Sequence, residues 1–206
     1  MPGNRIQGEK HVMVVKVPAE TDATAIRKSQ LDPDRFAVLY DRYASQLYRY
    51  ASRLIGPQVA EDVVAETFIA AFRARTRYDL SREDARPWLF GILIRELASY
   101  HRQEAARYRT MANTPIGDLI EGPADRVAAQ VSAEAARGLL ATALAALSPR
   151  DRDVLLLVAW SDFSYEEVSA ALSIPVGTVR SRLHRARRTT RAVLGCDPTA
   201  MFEENA

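Results

Sequence analysis

Six arginines lie between residues 180 and 191, and no Asp or Glu occurs between Glu167 and Asp197. Guanidinium groups bind phosphate oxygens, and they also pair in bidentate fashion with the edge of a guanine base. A helix face that only meets solvent usually carries both signs of charge, whereas this segment carries one. The pattern indicates a surface that binds nucleic acid.

The residues around these arginines predict two helices joined by a turn. Ser164 and Glu167 have the spacing of a capping box, so a helix should begin at Tyr165, and Pro175 and Gly177 mark the turn that follows. The second helix should bury a stripe of residues at spacings of three and four: Val176, Val179, Leu183, Ala186, Thr190 and Val193. A helix with one buried face and one cationic face is typical of the recognition helix in a helix-turn-helix.

The composition limits the class of protein. The chain has 206 residues, 48% of them hydrophobic, and a net charge of +2, so the positive charge is local. Its longest apolar run, Val154 to Trp160, is too short to cross a membrane, and no hydrophobic signal core stands at the N-terminus. The one cysteine, Cys196, excludes a disulfide or a cysteine-based metal site within the chain. We expect a cytoplasmic protein without metal or cofactor.

Helical periodicity and turn residues predict an all-α protein of two small domains. Residues 1–30 read as a flexible leader, and 31–109 as a first helical domain whose first helix ends at Gly56-Pro57. Proline and glycine mark 110–134 as a linker. A second domain, 135–195, contains the helix-turn-helix, with Ser148 as the cap of an earlier helix. Residues 196–206 form a tail.

Three stretches resemble the extracytoplasmic-function (ECF) subfamily of the sigma-70 family of bacterial RNA polymerase sigma factors. AEDVVAETFIAAF, at 60–72, resembles region 2.2, which binds the clamp coiled coil of the polymerase. ARPWLFGI, at 85–92, resembles the start of regions 2.3 and 2.4, which melt and read the −10 element. Residues 147–187 resemble region 4, which reads the −35 element. The resemblance covers roughly 30–195 and implies a sigma factor, a subunit that directs promoter-specific initiation and is not itself an enzyme.

The resemblance assigns a core-binding patch to the helix at 60–72. Asp62 and Glu66 lie one helical turn apart, so their carboxylates share a face, and Val63 and Phe68 stand at its edge. Ala65 occupies a position where the family usually has Gln. The expected partners are the clamp coiled coil and flap of core RNA polymerase, promoter DNA and an anti-sigma factor, with no small-molecule substrate.

The resemblance also divides the basic residues between two promoter elements. The loop 77–86 and the helix after it should hold the −10 element, with phosphate contacts from Arg73, Arg77, Arg95 and Arg102. Arg95 stands where the family commonly has a small polar residue, and Trp88 is expected in the core. The −35 element should meet the recognition helix through these residues: Thr178, Arg180, Ser181, Arg182, His184, Arg185, Arg187, Arg188 and Arg191.

Within the −35 set, Arg180, Ser181, His184 and Arg185 should lie near base edges or nearby phosphates. The backbone contacts are expected from Arg182, Arg187, Arg188 and Arg191. One alternative is a helix-turn-helix regulator with an unrelated helical N-terminal domain, because several regulator families share that motif. An enzyme has little support, because the chain has no phosphate-binding glycine loop and no nucleophile elbow.

Overall fold

The computed structural model describes residues 20–112 and 138–195, and every regular element within these ranges is a helix. Most of the expected leader, residues 113–134 of the expected linker and the tail at 196–206 lie outside the described residues. Residues 110–112, assigned to the linker, continue a helix. Among the described helices none combines the length and the apolar character needed to span a bilayer.

Four α-helices form the N-terminal domain: α1 (Asp22–Ser29), α2 (Ala37–Ile55), α3 (Pro57–Ala74) and α4 (Arg86–Ala112). Short 3₁₀ turns precede α2 and follow α3, at Pro33–Phe36 and Arg75–Arg77. Gly56 separates α2 from α3 with a φ of 81°, a conformation that favours glycine. Pro57 then begins α3, where its missing N–H has no intrahelical partner to lose. The expected helix end at Gly56-Pro57 is confirmed.

Helix α1 corrects the expectation of a flexible leader for the part of it that is described. Ala25 and Ile26 are fully buried, and the Oγ1 of Thr21 caps the helix by accepting a hydrogen bond from the N–H of Thr24. The sequence around α1 has no long apolar periodicity, because a helix of only eight residues buries a narrow face. Its stability therefore comes from packing, as is general for short helices.

A buried carboxylate joins α1 to the rest of this domain. The side chain of Asp22 is 3% exposed, and it accepts hydrogen bonds from the guanidinium of Arg42 and the hydroxyl of Tyr43 on α2. It also accepts the N–H of Ala85, at 2.8 Å, directly before α4. Burial and the neighbouring carboxylate raise the pKa of Tyr43, so its hydroxyl remains a donor. Asp22 thus fixes where the loop between α3 and α4 ends.

The C-terminal domain contains the helical residues 138–145 (α5) and three further helices, α6 (Pro149–Ser161), α7 (Tyr165–Leu172) and α8 (Val176–Leu194). The Oγ of Ser148 accepts the N–H of Asp151 at 3.2 Å, which confirms the expected cap of α6. The capping box before α7 is also confirmed. The N–H of Ser164 bonds the Glu167 carboxylate at 2.7 Å, and the N–H of Glu167 bonds the Ser164 Oγ at 3.2 Å.

The two domains pack against each other, α4 against α7 and α2 against α6. Their buried apolar residues form one continuous cluster. Phe90 on α4 meets Phe163 edge to face with ring centroids 5.0 Å apart, and Tyr50 on α2 meets Trp160 at 6.1 Å. Aromatic pairs at these separations and angles are favourable beyond the area that they bury.

An acidic residue on α6 lies at this boundary. Asp153 lines a groove of about 320 Å³ together with Leu54 and Ile94 of the N-terminal domain. Burial raises the pKa of Asp153 to about 6, while the positive charges of Arg152 and Arg182 act in the opposite direction. Since an ionised carboxylate is poorly solvated there, its charged form is disfavoured in the folded protein.

We expect Asp153 to make the folded protein less stable as the pH rises from about 4 to about 6. Its pKa when folded exceeds that of an unfolded aspartate, about 3.9, so the folded state binds more protons in this window and loses stability through it. Asp153→Asn should therefore gain stability relative to wild type as the pH rises. Denaturant unfolding at several pH values measures the difference, with the exposed Asp162→Asn as control. A difference between Asp153→Asn and wild type that does not vary with pH would contradict the prediction.

Candidate nucleic-acid interface

Helix α8 presents one continuous exposed face and one buried face. Val179, Leu183, Ala186 and Thr190 are buried against the other helices of the domain, as the spacing predicts. Val176 and Val193, expected on the same stripe at the two ends of α8, are only half-buried. On the opposite side lie the exposed members of the expected −35 set: Arg180, Ser181, His184, Arg185, Arg188 and Arg191. No acidic residue stands on α8 to neutralise this face.

Three residues of the expected −35 set lie at the margins of the exposed face. Thr178, Arg182 and Arg187 are half-buried, and the Nε of Arg187 is buried without a hydrogen-bond partner. Arg182 is near enough to the carboxylate of Asp153 to act on its pKa. The helical period explains this placement, because 182 and 187 fall on either edge of the buried stripe.

Arg185 is held by an ion pair within the domain. Its Nε and one terminal nitrogen donate to the two carboxylate oxygens of Asp151 at 2.9 and 3.2 Å. The side chain of Asp151 is 9% exposed, whereas that of Arg185 is 55% exposed. The pair ties α8 to the first turn of α6, and it engages one of the guanidinium edges that could form a bidentate contact with a guanine.

The four arginines expected at the −10 element are exposed, but the structure does not gather them into one site. Arg77 and Arg95 line the same cavity, of about 180 Å³. Arg73 lines a separate groove with Phe36, and Arg102 lines the groove that contains Asp153. Of the four arginines, only Arg77 and Arg95 therefore lie around a common cavity.

The loop before α4 is ordered by Tyr78. Its side chain is buried, and its hydroxyl lies 2.8 Å from the carbonyl oxygen of Arg82 and 3.1 Å from that of Asp84. Burial raises the pKa of Tyr78. The Trp88 ring packs on it with centroids 4.8 Å apart. Trp88 is half-buried: it packs against the hydrophobic core, as expected, and it also lines the cavity of Arg77 and Arg95.

Helix α3 exposes the two carboxylates expected to bind the polymerase. Asp62 and Glu66 are both exposed. Val63 and Phe68, expected at the edge of this patch, are each 7% exposed and belong to the core. Phe68 packs on Tyr40 with ring centroids 4.9 Å apart. Both positions lie on the inward face of the helical period, so neither side chain offers apolar surface beside the carboxylates.

The apolar residue that does lie beside the carboxylates is Ile69, which is not among the residues expected at this patch. Its side chain is 41% exposed, and it follows Glu66 by three residues and Asp62 by seven, which places all three on one face. It also lines a shallow groove with Pro33 and Phe72. The spacing of Ile69 from Glu66 and Asp62 in the sequence could therefore have predicted its place beside the two carboxylates.

Comparison with known proteins accounts for both domains. Residues 39–107 match the model of sigma-70 region 2, and residues 137–189 match that of sigma-70 region 4. The alternative of a regulator with an unrelated N-terminal domain is therefore wrong, because the region 2 match occupies that half of the chain.

Curated relatives extend these matches over most of the chain. The ECF RNA polymerase sigma factor SigL of Mycobacterium tuberculosis is 36% identical over 157 residues, 76% of this chain and 86% of SigL. The ECF RNA polymerase sigma factor SigK of Mycolicibacterium vanbaalenii is 28% identical over 181 residues, 87% of this chain and 91% of SigK.

Solved structures with a similar fold include CnrH, in complex with the cytosolic domain of CnrY. It has a TM-score of 0.60 and 27% identity, and the match covers 84% of this chain and 97% of that one. The sigma factor RpoE of Bartonella quintana, in complex with the anti-sigma factor NepR, has a TM-score of 0.54 and 25% identity over 82% of this chain and 99% of that one. With region 2, region 4 and a relative of this identity and coverage, the chain belongs to the ECF family of RNA polymerase sigma factors, which direct transcription initiation.

Proposed function

We propose that the chain divides the work of a sigma factor among three surfaces. The exposed carboxylates of α3 bind core RNA polymerase, the loop before α4 and the face after it hold the −10 element, and α8 reads the −35 element. The observation that carries this proposal is the separation of charge. Exposed carboxylates on α3 and a cationic face free of acidic residues on α8 belong to different domains.

The core-binding surface combines charge with one apolar contact. Asp62 and Glu66 steer a basic partner and fix its register, since charge complementarity affects encounter and orientation more than final affinity. Ile69 lies beside them and supplies apolar area that can be buried on binding. Val63 and Phe68 are buried in the core and hold helix α3 against the rest of its domain.

The −35 surface has its base-reading positions where α8 begins. Arg180, Ser181 and His184 are exposed along its N-terminal half, the part of a recognition helix that meets base edges. Arg188 and Arg191 follow on the same face and bind the flanking phosphates. Arg182 and Arg187, half-buried at the margins, extend only their guanidinium ends toward the backbone.

The −10 surface suits a strand whose bases are unstacked. Trp88 and Tyr78 supply aromatic area, and Arg77 and Arg95 supply positive charge around the same cavity. Single-stranded nucleic acid is held by this combination of stacking platforms and cationic grooves. We also propose an anti-sigma factor as a partner, because the sigma factor RpoE, which has the same fold, was solved in complex with one.

We expect the purified chain to make core RNA polymerase initiate at promoters that core alone ignores. The assay is run-off transcription on candidate promoters, including the DNA upstream of its own gene, with core alone as the control. Stable association with core but no specific transcript would contradict the proposal. Binding to duplex DNA without any association with core would indicate a different kind of DNA-binding protein.

Reversing the charge of the α3 patch should weaken binding to core and leave binding to duplex DNA unchanged. We expect Asp62→Lys with Glu66→Lys to weaken core binding roughly tenfold or more, because attraction becomes repulsion at both positions. The matched control reverses two exposed acidic residues on other helices, Asp41 and Glu166. If the α3 variant binds core as tightly as this control does, the patch is solvent-facing surface only.

Single alanine substitutions on α8 should separate base contacts from phosphate contacts. Arg180→Ala should cost about 1–3 kcal/mol on the preferred −35 sequence and relax the preference at particular base pairs. Arg188→Ala or Arg191→Ala should weaken binding to all sequences alike and lower the salt dependence by about one unit of slope. Binding titrations across salt concentrations and single-base variants measure both effects.

Arg185→Ala should differ from these variants in protein stability. It leaves the buried carboxylate of Asp151 without its partner, so we expect a loss of about 1–2 kcal/mol in the free energy of unfolding. Chemical denaturation measures this, and Arg180→Ala, which removes no ion pair of the structure, is the control. Equal stabilities would contradict a structural role for the pair, and equal binding profiles for all four variants would contradict the placement of α8.

A further inference from the structure

The face of α4 that we assign to the −10 element is also the face on which α7 packs. The cavity lined by Arg77, Trp88 and Arg95 is closed on its far side by residues of α7 and its C-cap, Ala170, Ala171 and Ser173. Trp88 and Arg95 lie seven residues apart on α4, so they share one side of the helix. Helix α7 therefore covers the aromatic and cationic groups that suit a single strand, at the place where the bases of that strand would lie.

A glycine allows this close approach. Gly91 lies between Trp88 and Arg95 on the same side of α4. A Cβ at position 91 would overlap the carbonyl oxygen of Ala171 and lie 3.2 Å from its carbonyl carbon. The three nearest atoms that it would meet all belong to the backbone of Ala171, which cannot turn aside as a flexible side chain does. The space at position 91 is thus limited by the other domain.

An arginine at the start of α4 reinforces the contact. The guanidinium of Arg86 donates to the carbonyl oxygen of Ser161, lies 4.3 Å from the ring centroid of Phe163 and approaches the carboxylate of Glu167 at 3.8 Å. Its Nε also donates to Gln46 of its own domain at 3.1 Å. Arg86 therefore connects α2 and α4 with the segment between α6 and α7.

The same packing leaves the cationic face of helix α8 uncovered. Its exposed face, with Arg180, His184 and Arg188, remains accessible while α7 lies on α4. The closed arrangement consequently covers the surface for single-stranded DNA and leaves the surface for duplex DNA open.

We infer that the packing of α7 on α4 is an autoinhibitory contact that blocks single-stranded DNA from the Trp88–Arg95 face and leaves duplex binding by α8 unaffected. This inference rests on the function proposed for that face. The fraction of molecules in the open form sets the apparent affinity for a single strand, because binding requires that form. A closed-to-open ratio of about 10:1 would weaken it about tenfold.

The test is Gly91→Ala, which introduces the overlapping Cβ. Alanine also favours the helix by up to about 1 kcal/mol relative to glycine, so the N-terminal domain should remain folded. Gly138→Ala is the matched control, because Gly138 is also helical and a Cβ there meets nothing within 4 Å. Arg86→Ala is a second opening variant that adds no steric overlap.

Two measurements are made on the full chain. Spin labels at Ser45→Cys and Glu166→Cys, with Cys196→Ser, report the distance between α2 and α7 by pulsed electron paramagnetic resonance. A fluorescein-labelled oligothymidylate at low salt reports single-strand binding, and a labelled random duplex reports binding by α8. We expect a single short distance for wild type and Gly138→Ala, and longer, broader distances for the two opening variants. Those two variants should bind the single strand several-fold more tightly and the duplex as wild type does.

A wild-type chain with the broad, long distances would overturn the inference, because the closed form would not be populated. Opening without tighter single-strand binding would overturn it as well, because α7 would not cover the binding face. Run-off transcription with core tests the sigma activity separately, so a failure of the autoinhibition and a failure of the sigma activity can be told apart. Specific transcripts from the wild-type chain, together with either result, would leave the sigma activity intact and remove the autoinhibition.

Discussion

The packing of the two domains against each other depends on a glycine, the residue that has no side chain. At position 91 the backbone of α4 comes so near to that of α7 that even one methyl group would overlap the carbonyl of Ala171. The aromatic contact of Phe90 with Phe163 lies next to this point. Packed interfaces of this kind tend to be either formed or separated, because they do not deform continuously. The position of α7 over the face that we propose for the −10 element therefore follows from a local steric condition.

Much of the fold was predictable because its signals are local. The capping box at Ser164, the cap at Ser148 and the Gly56-Pro57 pair each fix a helix end within a few residues of sequence. Helix α1 was not predictable, since its order depends on Arg42 and Ala85, which are far away in the chain. Contact between the two domains has no local signal either, because a glycine within a helix is as compatible with solvent exposure as with close packing.

The candidate sites also contain some features that local sequence predicts and others that it does not. The cationic face of α8 follows from helical spacing, and most of its expected members are exposed. The partner of Arg185 does not follow, because Asp151 lies 34 residues earlier in the sequence. On α3 the small residues Ala65, Ala70 and Ala71 interrupt the stripe of large apolar side chains. The pattern therefore placed Phe68 rather than Ile69 at the edge of the acidic patch. In the structure Ile69 is the exposed residue and Phe68 is buried.

The carboxylate of Asp22 limits how far the N-terminal domain can be shortened from its N-terminal end. A shortened chain that began at residue 31 would keep every helix that carries an expected contact residue. It would nevertheless lose the acceptor that holds the N–H of Ala85, and Arg42 and Tyr43 would lose their common partner. The loop before α4 would then keep the contacts of Tyr78 and of its own Asp79 and Asp84, but not the acceptor that fixes its end. The minimal domain in which the proposed aromatic and basic groups are ordered therefore starts no later than Thr21, ahead of the first residue matched by the region 2 model.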